Sequence, residues 1–486
     1  MSAPYPSPGW RRWSLLLACV AGAWGVLPAS RAAEARLFEP SEMTEVRLDG
    51  LSVRLGHPVQ VTAQLGWIMG YPGPRLDSPE IWSFIHLTPY LARFPGGNLV
   101  ATYAMDPDTQ KNPFFVSGFQ ISRDGGAHWG RRYATLMQHI PMVFIPKEND
   151  SLLAVASELL ETAPGERHSL TGPAYLFEHG GDRVTLLPDA VRVLDWPWPL
   201  EPRANPQPES NWHSGLAITG TALKVGPRLL ATAYGRIQGS RFDSSMLIAS
   251  DDGGYTWRYY STIAGPDLSL PLAMGREDPA DAASVALVKK IESEGVSEAA
   301  VAPLAVRIGY EGANETSVLA LASGELMAVY RVGGGSLRKW SLRRRYSRDG
   351  GRSWSAAEAL PAWSVMPEMV RTANGAIALS TGRPGVYLWL SADPRGRRWQ
   401  KIDLVAHHNA WAPDPALRIG TLTFKSPPFA PERAGKTKSE STSYTAMVEV
   451  APNRLLLIYD RDPEQAALDP KEVSRVFVLP IEIEKP

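Results

Sequence analysis

Aspartates at a fixed spacing are the most regular chemical feature of this chain. Each lies in an octet of the form S-x-D-x-G-x-x-W, where the Asp side chain is expected to accept hydrogen bonds from backbone N–H groups two residues on and close a turn. The Gly tolerates a positive φ, and the Trp is expected to enter the core. Three strict copies and one with an extra residue occur, at 122–129, 250–257, 347–354 and 391–399. We therefore predict a repeated structural unit.

Metal and thiol chemistry are not indicated by the sequence. It has no clustered histidine, cysteine and carboxylate residues with the spacing of a catalytic metal site, so we expect neither a metal nor another cofactor. The adjacent His407 and His408 are expected to face solvent. Cys19 is the single cysteine and lies in an apolar N-terminal run, so an exported mature chain would have no disulfide.

The N-terminus has the features of a signal peptide. Arg11 and Arg12 precede an apolar run over 13–27, and small residues permit cleavage near Ala32. The run is too short for a comfortable membrane span. We expect residues 1–32 to be removed and the protein to be secreted or periplasmic, without stable membrane insertion. Acylation of Cys19, giving a lipoprotein, is the less favoured alternative.

Composition excludes some partners and favours one class of fold. The 50 Lys and Arg residues balance the 50 Asp and Glu residues, which argues against a nucleic-acid partner because such proteins carry a basic surplus. The 16 Trp and 42 Gly residues suit an all-β protein with many turns, and Trp also suits stacking on sugars. The composition indicates no particular oligomeric state.

The elements that surround the octets form a second level of repetition. Pairs of β-rich runs joined by Gly or Pro-Asn turns precede the octets, so each unit matches one four-stranded propeller blade. At about 40–50 residues per blade, the sequence predicts an all-β, six-bladed β-propeller over residues 33–486. Residues 44–64 are expected to complete the last blade and close the ring. The expected blades are 82–135, 140–200, 212–262, 312–360, 366–403 and 440–485.

One stretch fits no blade. Residues 264–308 are predicted to form a short, partly helical insertion with an amphipathic helix over 281–294. Such an insertion is either a surface decoration or a wall or lid of a substrate site.

With these blades and octets, the chain resembles the sialidase (neuraminidase) superfamily, whose six-bladed propellers carry this octet as the Asp-box, or BNR repeat. The resemblance covers nearly the whole mature chain. It implies that the octets are structural and lie on the face away from the active site. It also implies a glycoside hydrolase whose partner is a carbohydrate.

Three strand segments resemble the catalytic strands of that superfamily, and they carry Glu315, Arg331, Arg383 and Tyr444. The resemblance implies that Tyr444 is the nucleophile and Glu315 its base. A neutral phenol avoids the repulsion that a carboxylate nucleophile would meet at the acidic anomeric centre of sialic acid. Arg331 and Arg383 would bind the substrate carboxylate, since arginine forks onto carboxylates better than lysine does. Taken singly, each residue also fits an ordinary structural role.

Other positions complete or depart from the pattern. The acid/base aspartate is expected at Asp106 or Asp108, with Asp108 preferred by spacing. Trp212 and His213 lie in a segment that resembles the substrate-facing loop entering the third blade. The first arginine of the superfamily is replaced by Leu87. Arg75 and Arg93 are the candidates to compensate for it.

We therefore expect an exported, retaining exo-glycosidase acting on terminal sialic acid or a related acidic sugar through Tyr444. One alternative is a glycosidase of the same fold that acts on another sugar through a carboxylate pair, Glu315 with Asp106 or Asp108. A second alternative is a carbohydrate-binding propeller without turnover.

Overall fold

A computed structural model of the chain describes residues 37–63, 87–104, 117–135, 141–156, 158–161, 169–200, 215–277, 282–333, 339–363, 365–423, 437–462 and 474–485. The expected signal peptide, residues 1–32, lies outside this part of the chain.

The first half of the described chain forms three successive groups of four antiparallel strands after an N-terminal strand set. A short extra strand, β10, bridges the second and third groups. The N-terminal set is β1 (Thr44–Leu48), β2 (Leu51–Leu55) and β3 (Val59–Ala63). The groups are β4 (Leu87–Arg93), β5 (Leu99–Ala104), β6 (Ser117–Ser122), β7 (Tyr133–Thr135); β8 (Pro141–Lys147), β9 (Ser151–Ala156), β10 (Glu158–Glu161), β11 (Leu170–Glu178), β12 (Arg183–Leu194); and β13 (Gly215–Val225), β14 (Arg228–Arg236), β15 (Asp243–Ser250), β16 (Thr256–Ala264).

The second half repeats the arrangement, with a small β25–β26 hairpin before the last group. Its strands are β17 (Tyr310–Ala320), β18 (Leu326–Gly333), β19 (Ser341–Ser347), β20 (Glu358–Trp363); β21 (Glu368–Arg371), β22 (Ile377–Gly382), β23 (Val386–Ser391), β24 (Gln400–Asp403); β25 (Thr421–Thr423), β26 (Thr437–Ser439); and β27 (Ala446–Ala451), β28 (Arg454–Arg461), β29 (Arg475–Glu484). The helices are α1 (Ser269–Glu277), α2 (Ala282–Glu294), α3 (Glu298–Ile308) and α4 (Leu404–Trp411), with 3₁₀ turns at Pro40–Glu42, His179–Gly181 and Pro415–Leu417.

These six groups are the blades of a closed propeller, as the sequence predicted. The first strands of the blades, β4, β8, β13, β17, β21 and β27, contact one another in a circle. They enclose an axial cavity of about 430 Å³ to which all six blades contribute lining residues. Strands β2 and β3 both pair with β29, so N-terminal strands complete the sixth blade. The expected blade limits agree with the strands to within a few residues.

The middle strands lack the apolar–polar alternation of a half-buried strand. β5, β18 and β22 are buried along their whole length. Both faces of a blade are covered by its neighbours in the ring, so a central strand has no solvent face on which polar residues would be favoured. Alternation persists in third strands such as β19 and at the end of the outer strand β12.

The insertion between β16 and β17 contains three helices, α1 to α3, instead of the single predicted helix. Their apolar faces pack on the blades through a core that includes Ile291, Leu304, Tyr310 and Trp340. Ser297 caps α3 by accepting a hydrogen bond from the Ala300 N–H at 3.2 Å. The insertion is therefore a packed buttress against the start of β17.

The octets form turns between the third and fourth strands of four blades. In the strict copies the serine hydroxyl accepts from the second Gly N–H at 2.8 Å. In these strict copies the Asp accepts from N–H groups three or four residues on, for example Asp349 from Ser353 at 3.0 Å, and not two residues on as predicted. In the fourth copy the prediction is confirmed, since Asp393 accepts from the Arg395 N–H at 2.9 Å. Two consecutive glycines with positive φ, such as Gly350 and Gly351, lengthen the turn and move the acceptor contact further along it. Only Trp257 of the four tryptophans is fully buried; the others lie partly buried between blades.

Candidate active site

The residues predicted to do chemistry meet at one end of the propeller axis. The Tyr444 hydroxyl donates to Glu315 Oε1 at 2.8 Å, although 129 residues separate them in the sequence. Tyr444 lies just before β27, the first strand of the sixth blade, and Glu315 lies in the middle of β17, the first strand of the fourth blade. First and third strands run parallel, so the octet turns that follow third strands lie at the opposite face. The octets are therefore separated from the Tyr444–Glu315 pair by the length of the blades.

A bulge in β17 directs Glu315 toward the axis. The pairing with β18 shifts between Asn314, opposite Arg331, and Ser317, opposite Val329, which leaves one extra residue in β17. Glu315 lies within this bulge at φ 42°, in the left-handed region that is unfavourable for residues other than glycine. The Met366 N–H donates to Glu315 Oε2 at 2.7 Å and helps to stabilise this conformation.

Arg331 lies beside Glu315 and is held by two carboxylates. Its Nη1 lies 2.7 Å from Glu315 Oε2, and its Nη2 lies 2.5 Å from Glu311 Oε2. Asn314 connects this cluster to the neighbouring blade by donating to Asp243 Oδ2 at 3.1 Å. Arg331 is therefore close to the pair, but both of its terminal nitrogens have protein partners.

Arg383 approaches Tyr444 from the fifth blade. It lies in the tight turn between β22 and β23 at φ 51°, and its N–H donates to Gly385 O at 3.0 Å. Its guanidinium lies 5.4 Å from the centre of the Tyr444 ring, within range of a cation–π contact. Its Nη2 donates to Thr442 O at 3.0 Å.

A buried carboxylate fixes the segment that carries Tyr444. Asp460 in β28 is fully buried and accepts from Ser441 Oγ at 2.7 Å and from the Thr442 N–H at 2.8 Å. The Thr442 hydroxyl donates to its other oxygen. This network holds Ser443 at φ 65° immediately before the tyrosine, and it orders Tyr444 without touching it.

The electrostatics of the pair favour an ionised glutamate and a neutral phenol. Burial alone would raise the pKa of Glu315, but the charge of Arg331, together with hydrogen bonds from Arg331, Met366 and Tyr444, lowers it overall. Burial, and then the negative charge of Glu315, raise the pKa of Tyr444 above its usual range. Glu315 is thus a proton acceptor in contact with a protonated nucleophile candidate.

A second carboxyl group lies deeper along the axis. Thr221 in β13 donates to Glu368 Oε1 at 2.6 Å, and Glu368 is 1% exposed. Within the described chain, neither its Oε2 nor the hydroxyl of nearby Tyr90 has a hydrogen-bond partner. Burial raises the pKa of Glu368 to about 7, against the opposing effects of Thr221 and Tyr90.

Several predicted site residues remain untested by the geometry. Asp106, Asp108, Trp212, His213 and Arg75 lie outside the described residues, as does the side chain of Leu87. Arg93 lies at the far end of β4 from Leu87 and lines the axial cavity toward the octet face, so it does not replace the missing first arginine.

The structure adds residues that sequence inspection missed. Glu311 binds Arg331, and Tyr234 of β14 lies close enough to Tyr444 to contribute to the rise in its pKa. Glu311 stands four positions before Glu315, a spacing that puts both on one face of a regular strand. Their actual placement beside Arg331 depends on two register shifts in β17, which the sequence does not reveal.

The predicted solvent exposure of the histidine pair was wrong. His408 in α4 is fully buried; its Nδ1 lies 2.7 Å from Tyr459 Oη and its Nε2 lies 2.8 Å from Leu417 O. His407 Nε2 lies 2.9 Å from Gly56 O. An unpredicted helix packs both rings against blade six, where they are structural.

The described residues contain neither a metal-binding cluster nor a membrane-spanning helix. No group of three or more histidine, cysteine, aspartate or glutamate side chains there is arranged to hold a metal ion. Among the helices described, none has the length and apolar character needed to cross a membrane.

Comparisons with known proteins find likeness in structure and none in sequence families. No protein-family model and no curated protein matches the chain. A protein of unknown function from Dyadobacter fermentans DSM 18053 matches with a TM-score of 0.53 and 16% identity, over 89% of this chain and 99% of that one. An alpha-L-arabinanase of Penicillium chrysogenum matches at 0.48 and 14%, over 87% and 98%. A Hadza microbial sialidase matches at 0.45 and 13%, over 82% and 66%. At such identities the likeness concerns the fold alone.

Proposed function

We propose that this protein is an exported, retaining exo-glycosidase that removes terminal sialic acid or a related acidic sugar. The observation that carries the proposal is the 2.8 Å hydrogen bond from Tyr444 to Glu315, flanked by Arg331 and Arg383. A phenol with a carboxylate base suits an anomeric carbon that carries a negative group. Two guanidinium groups close to that phenol suit the binding of such a group.

The proposed reaction has two steps. Tyr444 Oη attacks the anomeric carbon while its proton passes to Glu315 Oε1, and the bond to the leaving-group oxygen breaks. An acid, proposed to be Asp108 or Asp106, gives that oxygen a proton. Water then attacks the glycosyl–tyrosine carbon, its proton returns to the same aspartate, and Tyr444 recovers its proton from Glu315. The anomeric configuration is inverted twice and so retained.

A matched pair of tyrosine variants tests this proposal. We expect Tyr444→Phe to lower the kcat for a fluorogenic sialoside by at least ~100-fold, because the variant keeps the ring and removes the nucleophile. Tyr346→Phe is the control: its hydroxyl makes one hydrogen bond, to Arg395 O at 2.7 Å, near the octet face. Full activity of Tyr444→Phe would refute the role of the phenol.

A second candidate function is favoured by the carboxylates around Arg331. Glu311 and Glu315 occupy its terminal nitrogens, and Leu87 stands where a further arginine would bind an acidic sugar. A glycosidase acting on a neutral sugar through Glu315 with Asp106 or Asp108 fits these facts. It predicts hydrolysis of neutral glycosides, with loss of activity in Glu315→Gln and not in Tyr444→Phe. Binding without turnover of either class would indicate a carbohydrate-binding propeller.

A further inference from the structure

Both terminal nitrogens of the Arg331 guanidinium are already occupied by carboxylates of the protein. Nη1 faces Glu315 at 2.7 Å and Nη2 faces Glu311 at 2.5 Å, while Nε is buried and has no hydrogen-bond partner among the described residues. An incoming carboxylate must therefore replace one of the two glutamates before it can form a bidentate contact.

The two glutamates differ in how deeply they are buried. The Glu315 side chain is 7% exposed and also accepts from the Met366 N–H and from Tyr444. The Glu311 side chain is 30% exposed, and its Oε2 has a long contact of 3.4 Å with Asn314 Nδ2. Displacing Glu315 would leave a buried charge without its partners, which is costly. Displacing Glu311 moves a carboxylate toward solvent.

We infer that Glu311 is a specificity-determining residue that competes with the substrate carboxylate for Nη2 of Arg331. This inference rests on the proposed function, because it concerns an acidic sugar in the same pocket. In the free protein, Glu311 neutralises Arg331 in place of a ligand. On binding, the sugar carboxylate exchanges with it, and Arg383 supplies the second guanidinium.

This competition has a direct consequence for selectivity. It weakens the binding of acidic sugars, since each must displace an ion pair, and leaves neutral sugars unaffected. Removing the charge of Glu311 therefore strengthens the binding of the acid only. If Glu311 instead served to position Arg331, its removal would weaken the binding of the acid.

The test compares a ligand pair that differs by one charge. The affinities of N-acetylneuraminic acid and its methyl ester are measured by calorimetry for the wild type, Glu311→Gln and Glu311→Ala. We expect both variants to raise the acid-to-ester affinity ratio several-fold, to about tenfold, the range of a partly exposed charge pair. Glu325→Gln is the control, since Glu325 pairs with Arg348 and Arg395 near the octet face and should leave the ratio unchanged.

The outcomes separate this inference from the proposed function. An unchanged or lower ratio in both Glu311 variants overturns the role of Glu311, even if Tyr444-dependent turnover of sialosides is found. A raised ratio without turnover of sialosides by the wild type supports the role of Glu311 and overturns the proposed function.

Discussion

The buried carboxyl of Glu368 predicts a pH-dependent loss of stability that one substitution should abolish. Its pKa is about 7 instead of the usual 4.5, so between these values the folded chain binds one more proton than the unfolded chain. Stability therefore falls as the pH rises, by ~1.4 kcal/mol per pH unit. By pH 8 the cost of the ionised carboxylate reaches about 3 kcal/mol; it falls below ~1 kcal/mol at pH 5 and vanishes near pH ~4.

Glu368→Gln keeps the shape of the side chain and cannot ionise. Its amide oxygen can still accept from Thr221, and its amide nitrogen can donate to Tyr90. We expect the variant to exceed the wild type in stability by less than ~1 kcal/mol at pH 5 and by about 3 kcal/mol at pH 8. Urea denaturation at pH 5, 6, 7 and 8 measures this difference.

The control for this experiment is a glutamate with a shift in the opposite direction. Hydrogen bonding with Arg348 lowers the pKa of Glu325, so Glu325 is ionised throughout pH 6–8 in both the folded and unfolded states. The difference between Glu325→Gln and the wild type should not vary over that range. A flat difference for Glu368→Gln, or lower stability of that variant at pH 8, would refute the reasoning.

Three further substitutions test the scaffold. Asp460→Asn weakens the buried network before Tyr444 and should cost about 2–4 kcal/mol; urea denaturation measures the cost, and a loss below ~1 kcal/mol would show that the network is dispensable. Gly254→Ala places a Cβ against Ile145 at a φ of +98° and should destabilise by about 2–4 kcal/mol. Gly350→Ala has a φ of +70° and an open surrounding, so it should cost only ~1–2 kcal/mol; equal losses for the two glycine variants would show that backbone strain alone decides.

Local patterns were sufficient to predict the ring. Turn residues such as those around Asp124 and Asp349 mark the end of the third strand in four of the six blades, and the flanking β-rich runs indicate the blade limits. These signals are short-range and repeat, so one unit predicts the next. The complete burial of the middle strands could not be predicted from one unit, because burial on both faces is a property of the assembled ring.

Members of the candidate site could be proposed from the sequence, but their contacts could not. Tyr444, Glu315, Arg331 and Arg383 could be proposed because their segments resemble known catalytic strands. The bond from Glu311 to Arg331 could not be foreseen, since it depends on a register shift inside β17. Nor could Glu368, whose burial requires Tyr90 and Thr221 from two distant blades. His408 was misjudged because the sequence gave no sign that α4 would pack its ring against Tyr459.

The closure of the ring depends on the sixth blade, which combines strands from two distant parts of the sequence. Strand β29 pairs with β2 and β3. Because synthesis runs from the N-terminus, β2 and β3 are made before the strands of blades one to five, and β29 is made after them. Until β29 has been synthesised, the edges of β2, β3 and β28 that it will cover have unpaired backbone groups, which can pair with other chains. A proteolytic cut that releases either group of strands would open the ring at the sixth blade. Blades one and five, which contact that blade through β4 and β21, would then lose packing on one side.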